Sequence, residues 1–77
     1  MDLKILFKLT QILEDIFDVP SSDITPETDI YEDLGADEFD MVEISMILEE
    51  EFDITPDEED FGKISTVGEL CNYVENF

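Results

Sequence analysis

The chain has no histidine, one cysteine and only three cationic side chains among its 77 residues, and each shortage excludes a class of function. Without histidine, and with no visible base for Cys71, no nucleophile and base can be paired, so the chain is expected not to be an enzyme. Close carboxylate pairs carry little weight, because with 23 Asp and Glu they arise by chance. A lone cysteine cannot close an internal disulfide, which fits a reducing, cytoplasmic compartment. Its apolar helical surroundings mark Cys71 as a small core residue. Lys4, Lys8 and Lys63 are too few to neutralise a row of phosphates, so nucleic-acid binding is excluded and anionic membrane surfaces are disfavoured. No apolar run approaches membrane-spanning length. The start, Met1-Asp2-Leu3-Lys4, leads straight into a charged amphipathic pattern, unlike a signal peptide.

What the chain has in excess is negative charge. Against three lysines stand the 23 acids, giving a formal charge of −20. That charge cannot be paired internally, and it repels itself across the surface. It attracts basic patches on other proteins from a distance, and weak divalent cation binding is expected because it relieves the repulsion. A specific metal site is not: Asp53-Ile54-Thr55-Pro56-Asp57 starts like a calcium loop, but Glu58 stands where the sharp-turn glycine belongs and Ile64 occupies the twelfth position. A hydrophobic fraction of 43% suffices for one core. One domain over residues 1–77, monomeric and burying only about 60% of its unfolded surface, is the expectation.

Apolar periodicity places the helices. Leu6, Leu9, Leu13, Ile16 and Phe17 recur three or four apart and predict a first helix from Leu3 to Phe17, stopped by Pro20. A long connection from Ser21 to Ala36 follows, with Ile24, Ile30, Tyr31 and Leu34 expected to pin it to the bundle. A second helix is capped by Asp37 and runs to Phe52. Pro56 is expected to open a short third helix that Gly62 closes. Ser65 or Thr66 caps the last helix, whose stripe of Val67, Leu70, Cys71 and Val74 extends towards Phe77.

The second helix carries two apolar stripes. Met41, Ile44, Leu48 and Phe52 make a core face; Phe39, Val42, Met46 and Ile47 make another, interleaved with Asp40, Glu43, Glu49 and Glu50. The second stripe is either more core or a docking face in which apolar contacts give affinity and carboxylates give orientation.

Leu34-Gly35-Ala36-Asp37, followed by Phe39-Asp40 and Val42-Glu43, then Leu48-Glu49-Glu50-Glu51-Phe52 and Ile64-Ser65-Thr66-Val67, together resemble the acyl carrier protein family over essentially the whole chain. The resemblance implies an all-α fold, a small four-helix bundle with a long loop between helices 1 and 2 and a short third helix. It also implies service in fatty-acid or related acyl metabolism. In that family the second helix opens on Asp-Ser-Leu, and the serine carries phosphopantetheine; here the tripeptide is Asp37-Glu38-Phe39. A carboxylate cannot act as that serine hydroxyl does towards coenzyme A, so Glu38 marks the attachment position and no cofactor is expected on it. Ser45 lies two turns further along, and Ser21, Ser22 and Ser65 suit turns and caps. By matching position, recognition of partner enzymes with basic docking patches falls on Asp37, Phe39, Asp40, Val42, Glu43, Met46, Glu49 and Glu50. Bulky Met41 and Ile47 border the family's acyl cavity and are expected to fill it. Two other readings fit the residues: an ordinary acyl carrier protein with an engineered serine-to-glutamate change, and a small acidic cation-binding protein.

Overall fold

A computed structural model describes residues 2–77. The element order is α1 (Leu3–Phe17), a 3-10 turn (Ser21–Asp23), α2 (Glu38–Phe52), α3 (Glu58–Phe61) and α4 (Val67–Glu75). Local chemistry sets each boundary. The Asp2 carboxylate opens α1 by accepting from the Lys4 and Ile5 amides at 2.9 and 3.3 Å. Both long helices end the same way, on Asp18 and Asp53, each left-handed with φ 54°, a conformation that the short aspartate side chain tolerates.

Helix α1 packs on α4. The Asp2 amide donates to Glu75 Oε1 at 2.9 Å, which ties the start of α1 to the end of α4. Between the helices lies one core: Leu9 and Leu13 from α1; Met41, Ile44 and Leu48 from α2; Phe61 from α3; and Val67, Leu70, Cys71 and Val74 from α4. Ile24 and Ile30 of the long connection complete it, together with Ile64. The expected inner stripe of α2 is thus buried, except that Phe52 at the helix end is only half-buried.

Three backbone bonds hold the long connection against the entry to α4. The Ile30 amide donates to Ser65 O at 2.7 Å, the Val67 amide to Thr28 O at 3.0 Å, and the Gly68 amide to Pro26 O at 2.9 Å. Such bonds follow from no periodicity in the sequence, nor does the 3-10 turn. Tyr31, expected to pin this segment, is exposed instead; Ile24 and Ile30 perform that task, and the tyrosine ring is left to line a groove. The last two helices are also shorter than expected. Asp57 rather than Pro56 governs the start of α3, its carboxylate accepting from the Glu59 and Asp60 amides at 2.9 and 3.2 Å. Helix α4 stops at Glu75, where the Asn76 side chain folds back onto Asn72 O at 2.8 Å. No helix among the described residues is long and apolar enough to cross a membrane.

Candidate functional site

The start of α2 is built by a sharp turn and a reciprocal cap. Gly35 sits at φ 76°, a region costly for any residue with a Cβ, and so lets the chain reverse after Leu34. The Ala36 amide then donates to Ile30 O at 3.1 Å. Asp37 accepts from the Asp40 amide at 2.9 Å, while the Asp40 carboxylate accepts from the Asp37 amide at 3.1 Å. Two of the acids assigned to partner recognition are therefore already engaged in holding the helix end. Glu38 follows as the first helical residue, exposed, its side chain in no hydrogen bond or ion pair among the described residues.

Beyond the cap, α2 turns its second stripe outward. Phe39 is 76% exposed, Val42 58% and Met46 61%, whereas Ile47 is half-buried. The alternative of a second core stripe thus fails for Met46 and holds in part for Ile47, since no other element covers this side of the helix. Glu43, Glu49 and Glu50 are exposed beside the stripe and make no ion pair among the described residues.

A groove of about 630 Å³ runs along α2. Glu38, Met41, Val42, Ser45, Met46 and Glu49 form one side, and Tyr31, Pro56, Glu58, Phe61 and Gly62 form the other. Its floor is apolar and three carboxylates stand at its edge. The far wall is positioned from α4: the Asp57 amide donates to the Tyr73 hydroxyl at 3.0 Å, and the Tyr73 ring meets Phe61 edge-on at 6.1 Å. Met41 and Ile47 do not border one cavity as expected. Met41 lies in this groove, whereas Ile47 lines a shallower hollow on the other flank with Phe39, Val42, Glu43, Met46 and Glu50. Residues three apart on α2 lean to one flank, and a step of six reaches the other. Sequence reasoning missed the far wall, because only the tertiary placement of α3 brings Pro56 and Phe61 opposite α2.

Over residues 8–74 the sequence matches the model of a family described as Phosphopantetheine attachment site. The chain belongs to this family. A solved structure of acyl carrier protein from Enterococcus faecalis is similar over 95% of this chain and 92% of that one, at 33% identity and a TM-score of 0.83. The protein is accordingly an acyl-carrier-type domain with the four-helix fold of that family, a carrier by class and not an enzyme. Ser45, half-buried in the groove wall, is the sole hydroxyl side chain in α2. No group of three or more side chains among the described residues is arranged to hold a metal ion.

Proposed function

We propose that this carrier-type domain acts in fatty-acid or related acyl metabolism by presenting α2 to partner enzymes, and that it does not accept phosphopantetheine. The observation that carries the reading is Glu38: the first residue of α2, exposed at the mouth of the groove, and a carboxylate where attachment needs a hydroxyl. A carboxylate has no O–H to attack the pyrophosphate of coenzyme A, so the donor set at this position does not fit the covalent arm. Around it, Phe39, Val42 and Met46 form an apolar ridge flanked by Glu43, Glu49 and Glu50, which suits acyl-transfer or synthase enzymes with basic docking patches. Asp37 and Asp40 shape the same end of the helix while adding charge to it. Weak, delocalised binding of divalent cations accompanies so dense a set of carboxylates.

The deciding measurement is intact mass after incubation with coenzyme A and a broad-specificity phosphopantetheinyl transferase. The chain as it stands is expected to gain nothing, and Glu38→Ser is expected to gain the full arm. A mass gain on the unaltered chain, at Ser45 or elsewhere, would sink the proposal that the arm is not accepted. A Glu38→Ser variant that folds yet stays unmodified would show that its α2 face no longer engages the transferase.

A further inference from the structure

The cations of this chain are not scattered. Lys4 and Lys8 both lie in the segment from Leu3 to Leu13, which contains no acid, and Lys63 is the sole cation elsewhere. The same segment exposes the apolar residues that the core leaves over on α1: Leu3 is 74% exposed and Phe7 66%. They sit one turn apart, and each is followed by a lysine about 100° further round the helix. The outer face of early α1 is therefore an apolar ridge with a cationic edge. The α2 groove has the opposite character, an apolar floor between Met41, Val42, Met46 and Phe61 with Glu38, Glu49 and Glu58 at its margin.

We propose that these two surfaces are partners, and that a second copy of this chain docks by placing its Leu3–Phe7 ridge in the α2–α3 groove of the first. The proposal rests on the reading of α2 as a docking face, because α1 has the basic and apolar chemistry which that reading assigns to partner enzymes. Self-docking covers the α2 face and so competes with enzyme binding. Lys4, which makes no ion pair among the described residues, is the cation available to the partner's groove carboxylates; Lys8 is shared with Glu51 of its own chain at 3.1 Å. The contact joins two different surfaces, so each added copy leaves one of each unfilled, and the product is an open chain rather than a closed dimer. Its salt response is distinctive. At low ionic strength the repulsion between two bodies of charge −20 keeps copies apart. Salt shortens the screening length from about 30 Å at 0.01 M to about 8 Å at 0.15 M. That weakens the long-range repulsion while leaving close contacts in place, so association rises with salt, whereas a basic enzyme loses affinity for α2.

Sedimentation velocity at increasing concentration tests this. The unaltered chain is expected to shift to dimer and larger species at 0.15 M salt and to remain monomeric at 0.01 M. Lys4→Glu, Phe7→Glu and Met46→Glu, all on exposed positions and checked for folding by circular dichroism, should each abolish the shift. An equimolar mixture of Phe7→Glu, which keeps the groove, with Met46→Glu, which keeps the ridge, should form a dimer and nothing larger. Monomer throughout up to about millimolar chain, self-association of either single variant, or no complex in the mixture overturns the proposal. In a Glu38→Ser background, transferase modification separates the two readings. At low salt, where copies stay apart, Met46→Glu slows it if α2 is the enzyme-docking face and Phe7→Glu leaves it unchanged; at higher salt Phe7→Glu speeds it if copies associate, because that variant uncovers the α2 face.

Discussion

Glu38 occupies the first position of α2, directly after the Asp37 cap. A negative charge there gains roughly 0.3–1 kcal/mol from the helix dipole at low salt, but Asp37 and Asp40 are already present and their repulsion opposes the gain. The net change on Glu38→Ser is expected to stay within about 0.5 kcal/mol by urea denaturation, as for other exposed substitutions. A loss well above 1 kcal/mol would mean that Glu38 makes a structural contact, removing the reason to read it as a lost attachment site. Glu69 is the opposite kind of acid. It accepts from the Thr66 amide at 2.9 Å, the Ser65 amide at 3.0 Å and the Ser65 hydroxyl at 2.9 Å, and these bonds lower its pKa from 4.5 to about 2. A folded pKa below the unfolded one means that its stabilisation is complete above pH 4.5 and is lost as pH falls through about 2. Glu69→Gln keeps an acceptor but not the charge, so the stability gap between the two proteins should be constant above pH 4.5 and close towards pH 2. A gap unchanged down to pH 2 refutes the assignment.

At the scale of elements, the smallest helix shapes the groove most. Four residues long, α3 is held by the anchor Phe61 and by the Tyr73 hydroxyl accepting from the Asp57 amide. Tyr73→Phe keeps the ring contacts with Phe61 and Phe77 and removes only that acceptor. The cost should be about 0.5–1.5 kcal/mol, concentrated locally: amide exchange at Phe61 and Gly62, which donate to Asp57 O and Glu58 O, should quicken while the buried turns of α1 and α4 stay protected. Uniform quickening would show that the hydroxyl matters to the whole fold and not to the groove wall. The legibility of the elements follows the same division. The stripes of α1 and α4 and the inner stripe of α2 stand out in the sequence because burial along a helix imposes a period of 3.6. The outer stripe of α2 has that period too, so Phe39, Val42 and Met46 could be told from core only once their neighbours were known. Tyr31 lies outside the core it is expected to join because a loop residue answers to backbone bonds, here those joining Thr28 and Ile30 to the entry of α4, and such bonds leave no spacing to read. The start of α2 was legible from Leu34 to Phe39, since the turn at Gly35 and the cap at Asp37 are written in consecutive residues.

Over the whole molecule, the dominant unpaired quantity is charge. Of 23 acids and three lysines, the described residues form a single ion pair, Lys8 with Glu51, about half exposed on both sides and therefore of little value to stability. Several carboxylates are instead consumed in helix caps, at Asp2, Asp37, Asp57 and Glu69, where they meet amide dipoles rather than cations. Glu14, Asp29, Asp33, Asp40 and Glu75 also accept from backbone amides; most of the others face water and one another, and folding forces them closer than they stand in the open chain. Anything that screens or neutralises them should favour the folded state, so the melting temperature should climb with sodium chloride as the screening length contracts. Millimolar magnesium or calcium should raise it further at matched ionic strength, because ions that associate with the folded surface stabilise it by mass action. Since no side-chain group is arranged as a metal site among the described residues, the two ions should act alike and without a sharp saturation point. Thermal scans by circular dichroism across both series decide the matter. A melting temperature indifferent to salt and divalents would show that the carboxylates are spaced widely enough to tolerate one another, and a sharp saturable response to one ion alone would require a specific site that these side chains do not form.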